Sequence, residues 1–367
     1  MVTALYVFGI IGAFLIGGLV SWTAKEYVDA YIDNAAYAKS IVHPEMLDED
    51  GNVDQSELLY LRFTDNDDTL DAEDDDWVMI LVDMNQVMIA NLMVSLTQSE
   101  ELQEGLVRHM ILNSLRNYRH EFRKEYGELV LCYDSKNYWR REYFPYYKGT
   151  RKKDREKSKH NWNNIFELLN KLKDEFRESL PYKVVEVDGA EADDIIAVIV
   201  KDQGLKNIRL QNNMQPAQKV LILSGDKDFI QLQRFRFVTQ YNPCLKKYVN
   251  GVDPHIYISE HILKGDRSDG IPNVLSDDSC LTEGRRQRPL ARKKIDVWAQ
   301  NIDYIPEENK ANYERNKTLI DFSCIPKEVE EKIIDTYESF NPPARKYVWK
   351  YLVDNELNDL LQQIGDF

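Results

Sequence analysis

The chain has 367 residues, 43% hydrophobic and 30% charged, enough for two to three domains with a sizeable core, which excludes a disordered or collagen-like chain. Its net charge of −15 argues against a polyanionic partner only until the charge is located: residues 1–76 hold 17 acids against Lys25, Lys39 and Arg62, leaving 45 acids and 44 bases in residues 77–367. Cys132, Cys244, Cys280 and Cys324 lie far apart with no C-x-x-C pair, so neither a disulfide framework nor a zinc knuckle is indicated and a reducing compartment is expected.

Met1–Trp22 carries no charged side chain, and its length and composition predict a transmembrane helix over residues 1–24. A cleaved signal peptide is disfavoured because no basic residue precedes the apolar run and no A-x-A precedes Lys25. Lys25 and Lys39 follow the span, which places the bulk of the chain in the cytoplasm. Residues 25–76 read as an acidic, disordered linker, with 13 acids against Arg62 alone in residues 47–76. At Trp77 the composition changes abruptly, and Met79 has the form of a start codon. Residues 1–76 thus read as a separate small membrane protein fused in frame, or as a misplaced gene start.

From Met79 the pattern alternates. Strands are predicted at M-I-L-V-D-M from Met79 and at 128–134, 182–187, 219–224 and 237–241, with helices at 101–126, 161–179, 190–203 and 227–233. That order predicts an α/β fold with a mostly parallel central sheet flanked by helices. Ligand sites in such sheets lie beyond the carboxyl ends of the strands.

Acids gather at those ends. Asp83 closes the first strand, Asp134 the second, and Asp226 and Asp228 follow the fourth; Glu191, Asp193 and Asp194 open a helix, and Asp266 and Asp269 stand in K-G-D-R-S-D. Singly, each reads as an ordinary helix cap or turn residue. Eight or nine converging carboxylates would repel one another strongly unless divalent cations neutralised them, and an all-oxygen set suits Mg2+ or Mn2+. Two such ions about 4 Å apart form the clamp used in phosphodiester hydrolysis. With eight acids assigned to the site, the remaining surface beyond residue 76 carries about +7, which suits phosphate.

Residues 139–155 interleave aromatics with cations, offering stacking faces for unpaired bases and charges for phosphates. Residues 264–274 read as a turn between two short helices, whose exposed N–H groups hold a duplex phosphate. The densest basic run, Arg285 to Lys294, has no assigned meaning in isolation.

These motifs resemble the flap endonuclease and 5′→3′ exonuclease family, and within it the ribonuclease H branch of T-even bacteriophages, from Met79 to about Asn273 and more weakly to Phe367. The resemblance rests on the order D, D, E-A-D-D, G-D-K-D and G-D-x-S-D-x-I-P, and on an arch signature of Arg140, Tyr147, Lys148 and Arg151. It implies a PIN/5′-nuclease-like catalytic domain at 77–245 with a helical arch at about 136–160, and a C-terminal helical region at 246–367 carrying a helix-turn-helix element for duplex DNA. It implies that Asp83, Asp134, Glu191, Asp193, Asp194, Asp226, Asp228, Asp266 and Asp269 hold two Mg2+ ions, with Mn2+ able to substitute, and that Lys148 and Arg140 steer the scissile phosphate. Nucleic acid would contact Arg141, Tyr147, Arg151, Lys152, Lys153, Lys264, Gly265, Arg267, Ser268 and Gly270. Asn273 departs from the glycine of many relatives; Asn tolerates a left-handed conformation, so the turn is expected to survive.

The function so implied is a magnesium-dependent, structure-specific 5′→3′ exonuclease and flap endonuclease of ribonuclease H type, removing RNA primers or 5′ flaps in phage DNA replication. Its partners would be flapped or nicked duplex DNA and RNA–DNA hybrid, the phage single-stranded DNA-binding protein and sliding clamp, and a membrane through residues 1–24. It would act in the cytoplasm of the infected host cell, membrane-tethered if residues 1–24 are translated. The rivals are a membrane-tethered DNA-binding protein with vestigial catalysis and a PIN-type ribonuclease.

Overall fold

The run Met79–Asp83 is buried at every position, which suits a strand covered on both faces. The structure is a computed structural model that describes residues 79–98, 101–156 and 158–367. The predicted span 1–24 and acidic linker 25–76 lie outside the described residues, as do the side chains of Lys152 and Lys153. Among the described residues no helix is long and apolar enough to cross a membrane.

Five strands, β1 (Met79–Asp83), β2 (Glu128–Tyr133), β3 (Lys183–Glu186), β4 (Val220–Leu223) and β5 (Val238–Asn242), run parallel in the order β3-β2-β1-β4-β5. A two-residue strand, β6 (Lys247–Tyr248), adds antiparallel to β5. The helices that matter below are α1 (Met84–Gln98), α2 (Glu104–Tyr126), α3 (Trp139–Tyr143), α4 (Gly149–Glu156), α5 (Trp162–Ser179), α6 (Ala192–Asn212), α7 (Pro254–Lys264), α8 (Arg292–Trp298), α9 (Glu307–Ile320), α10 (Lys327–Ser339) and α11 (Lys346–Asp354).

Successive strand residues face opposite sides, so β1 feeds two cores. Ile80 and Val82 pack with α1, α2, α5 and, from the far end of the chain, Val348, Leu352 and Phe367. Met79 and Leu81 pack with Ile195 and Ile199 of α6 and Val329 and Ile333 of α10. The strand order turns at β1, flanked by β2 and β4, so a crevice opens beyond its carboxyl end.

The mostly parallel α/β reading thus agrees with the structure, and three local expectations do not. Residues 84–98 form a helix that went unread, because α1 is apolar on nearly every side and has no 3.6-residue period. The predicted helix 227–233 is a 3₁₀ segment, Lys227–Arg234. The helix-turn-helix is incomplete: α7 enters the turn, but residues 265–291 are turns and irregular chain until α8 begins.

Candidate active site

Asp83 sits at the last position of β1, with Oδ1 accepting from the Gln86 N–H at 3.1 Å and Oδ2 from Ser224 Oγ at 2.9 Å. Asp134 follows β2 and accepts from the Ala192 N–H at 2.7 Å, which ties it to the start of α6. Asp226 follows β4 and caps the 3₁₀ segment through the Asp228 N–H at 2.9 Å. Asp193 lies in the first turn of α6.

These four carboxyls titrate upward together. Burial pushes Asp83 up to about 7, with Asp134 and then Asp226 adding to the rise. Loss of solvation and the neighbouring Asp228 raise Asp226 to about 6. Asp193 is held well above the carboxylate range by burial, Asp226 and Asp83, and Asp134 rises through burial and Glu191 against the pull of Lys148. Carboxyls that raise one another in this way lack a sufficient countercharge from the protein, and oxygen donors so placed fit a hard divalent cation.

The arch side is built oppositely. Arg140 is buried, donating Nε to the Leu319 carbonyl at 2.8 Å and Nη1 to Glu191 Oε2 at 3.0 Å and Asp194 Oδ2 at 2.8 Å, while its guanidinium lies 4.7 Å from the centroid of Trp139. Lys148 Nζ meets Glu191 Oε1 at 2.5 Å and stands 3.8 Å from Asp269. The Tyr147 hydroxyl lies 2.9 Å from both Glu191 and Asp269, and Arg151 pairs with Asp269 at 2.6 Å. Burial would raise Glu191, but Lys148 and Arg140 hold it below its ordinary value. Burial likewise opposes the Lys148 charge, which Asp269 and Glu191 restore and hold well above the usual lysine range.

A third group joins the two. His261 of α7 sits 3.1 Å from Asp228 and 3.6 Å from Asp266, and these three present ligand atoms within 4.8 Å of one another. Burial would lower the imidazole, yet the two acids beside it raise it to about 9. This residue went unpredicted; the one available signal was its place in the last turn of a helix running straight into the acidic turn.

The eight acids Asp83, Asp134, Glu191, Asp193, Asp226, Asp228, Asp266 and Asp269 therefore share one electrostatic site. Asp194 is engaged by the fold instead. It accepts from Trp139 Nε1, Arg140 and the Glu191 N–H, completing the capping box that opens α6. Arg140 likewise anchors α6 and α9, with Nε and Nη1 engaged by protein oxygens.

Tyr147 offers no stacking face either, being buried with Phe144, Ile262, Ile271 and Leu319 in a satellite core. Of the five arch aromatics, Trp139 is buried as well, and only Tyr143 and Tyr146 are substantially exposed. Arg141, Arg267 and Ser268 are exposed. Lys264 is paired with Glu260 at 2.5 Å.

The turn itself is fixed by glycine. At Gly265, φ is +67° and a Cβ would fall 2.4 Å from the Ile271 carbonyl; at Gly270, φ is +75° and a Cβ would meet the Tyr146 carbonyl at 2.9 Å. Four of its N–H groups are not offered outward as expected: those of Ser268 and Asp269 bind Asp266 Oδ1, that of Gly270 the Arg267 carbonyl and that of Ile271 the Asp266 carbonyl. Asn273 survives without a left-handed backbone, for it is not among the positive-φ residues. Its side chain instead donates to the Arg288 carbonyl at 2.9 Å and accepts from the Leu275 N–H and Ser276 hydroxyl.

Comparison with known proteins places these features. Residues 78–258 match the family described as 5′-3′ exonuclease, N-terminal resolvase-like domain, and residues 252–367 match the one described as T4 RNase H, C terminal. Residues 2–62 match a different family, described as a protein of unknown function. The chain is similar to the ribonuclease H of Enterobacteria phage T4, at 33% identity over 299 residues covering 78% of this chain and 95% of that protein. It is 28% identical over 161 residues to a 5′-3′ exonuclease of Buchnera aphidicola subsp. Acyrthosiphon pisum (strain APS), covering 41% of this chain and 49% of that one. Among solved structures it matches a bacteriophage T5 flap endonuclease in a pseudo-enzyme–product complex with DNA and metal ions, at 17% identity and a TM-score of 0.47, over 71% of this chain and 99% of that one.

Proposed function

The chain belongs to the 5′→3′ exonuclease family and is a phosphodiester hydrolase of the exonuclease and flap endonuclease type, and from that premise we propose that it cuts 5′ flaps and RNA primers from duplex DNA with two Mg2+ ions. The observation that carries the reading is the set of carboxyls at the β1, β2 and β4 ends that raise one another. Asp83, Asp134, Asp193 and Asp226 would hold one ion with Glu191, and Asp228, Asp266 and Asp269 the other. When bound, such ions activate water and stabilise the leaving oxygen.

The chain's own groups do the rest. Glu191 and Asp194 fix the start of α6 against the arch through Arg140. Lys148, held at φ 54°, keeps its charge beside the acids and is the arch cation placed to meet a phosphate if Glu191 exchanges it for a metal ion. Arg141, Arg151 and Arg267 supply further positive charge for the strand. The intact acids disfavour the vestigial DNA-binding reading.

Residues 2–62 match a different family, which supports reading residues 1–76 as a fused segment that the nuclease does not need. The test is cleavage of a 5′-labelled flapped duplex and an RNA–DNA hybrid with and without Mg2+, by the full chain and by one beginning at Met79. Both should release short 5′ products only with metal; metal-independent cutting, or none on any 5′-ended duplex, contradicts the reading.

A further inference from the structure

His261 brings a nitrogen among carboxylates that offer only oxygen, and it is placed as a ligand atom would be. Its Nε2 is buried and lies 3.1 Å from Asp228 and 3.6 Å from Asp266, yet it forms no hydrogen bond among the described residues. A ring nitrogen held that close to two carboxylates without an N–H aligned on either is aimed at the space they share. Neighbouring ligands of an octahedral ion with bonds of about 2.1 Å stand about 3 Å apart, and opposite ones about 4.2 Å. The ligand atoms of Asp228, His261 and Asp266 all lie within 4.8 Å of one another, so a small ion fits among them with little adjustment.

Each of the three is held from behind. The Tyr257 ring, one helical turn earlier on α7, stacks on the imidazole at 5.4 Å and 20°, which fixes the plane of the ring. Asp266 Oδ1 is filled by the Ser268 N–H and hydroxyl, both at 2.7 Å, and by the Asp269 N–H at 3.2 Å, so Oδ2 is the oxygen left toward His261. The Asp228 backbone is set by its N–H, which donates to Asp226 Oδ1 at 2.9 Å. Support of this kind is what orients ligands around an ion. The last turn of α7, where His261 stands, adds the negative end of a helix dipole, which also favours a cation.

We infer that His261 is a ligand of the ion at Asp228 and Asp266, and that this mixed nitrogen and oxygen set prefers a first-row divalent transition ion, with Mn2+ as its probe, over Mg2+. Mg2+ enters the same place but keeps to oxygen and water, whereas a transition ion gains from the imidazole. Loading the ion expels the imidazole proton to solvent; carboxylates that favour a proton on the ring favour a divalent cation between them more strongly. The acids at the β1, β2 and β4 ends offer oxygen alone and carry no such preference. The inference rests on the second ion of the proposed function and adds to it a ligand and a selectivity.

The experiment adds substoichiometric Mn2+ over excess Mg2+ to the full chain at one pH and reads nitrogen coupling to the manganese by pulsed electron paramagnetic resonance. The parent should show a directly bound nitrogen whose signal changes when histidine nitrogen is isotopically labelled. His261→Ala should lose that signal and weaken Mn2+ relative to Mg2+ by about tenfold or more. His261→Asp restores three side-chain donors as oxygens, and it should bind Mg2+ at least as tightly as the parent with no nitrogen coupling. Bound Mn2+ without nitrogen coupling in the parent, no bound Mn2+ at all, or coupling that survives in His261→Ala overturns the ligand. Because no cutting is scored, a chain that shows the coupling yet cleaves nothing supports the ligand and counts against the nuclease reading alone. A chain that cleaves flaps in Mg2+ without the coupling does the reverse.

Discussion

The sheet-edge acids and the arch-side acids are the same residue types within one crevice, and they differ in what neutralises them. Asp83, Asp134, Asp193 and Asp226 face mainly one another, and their carboxyls are displaced upward. Glu191 and Asp194 face Arg140, with Lys148 and Tyr147 also on Glu191. The first group has no sufficient countercharge from the chain; the second is countercharged by the fold. On the proposed reading the first group serves chemistry, Asp194 holds the arch to α6 and Glu191 does both, although the E-A-D-D motif supplies members of each kind.

The largest expected effect breaks the first group. Asp226→Asn or Asp134→Asn should reduce flap cleavage by about 10³-fold or more while duplex binding in the absence of metal stays near that of the parent. Single-turnover assays and binding titrations check the two halves of that statement. In the second group Arg140→Met should leave Glu191 and Asp194 as buried charges without their partner. A loss of about 3–5 kcal/mol in denaturant unfolding is expected, since removing one member of a buried pair strands the other. Lys148→Ala should fall between the groups, lowering turnover by about 10²-fold with little change in duplex affinity. Equal losses in both parameters would make Lys148 a binding residue only.

Much of the first group was legible, because a strand that ends in an acid is visible as an apolar run with a terminal carboxylate. β1, β2 and β4 are such runs, and parallel pairing brings their ends together. The second group was not, because sequence does not tell a stacking aromatic from a core one. Trp139, Phe144 and Tyr147 looked exposed beside so many cations, yet they pack inward while Arg140 is buried with them. His261 was invisible for a related reason: its partners Asp228 and Asp266 lie 33 residues before it and five after. α1 escaped because a helix buried on nearly all sides has no period to read.

The smallest expected effect lies away from the site and sharpens what burial alone does to a titratable group. Burial lowers the His109 imidazole below its ordinary value, and both ring nitrogens lack a hydrogen bond among the described residues. A depressed folded value means the neutral ring is preferred, so its contribution to stability is full above about pH 6.5 and is lost as pH falls through the folded value. Thermal melts of the His109→Leu variant should show a shallower fall in stability below pH 6.5 than the parent. An identical slope would show that His109 charges freely in the folded chain.

The central claim is that the acids of one crevice divide between an external cation and the fold. Calorimetric titration of Mg2+ into the parent, Asp226→Asn and Asp194→Asn tests it most directly. The account predicts that Asp226→Asn loses about tenfold or more in affinity, because a ligand charge is gone. Asp194→Asn should stay within about threefold of the parent while unfolding more easily, because its partners are Arg140, Trp139 and the Glu191 N–H. Loss of Mg2+ binding in Asp194→Asn as large as that in Asp226→Asn would contradict the division.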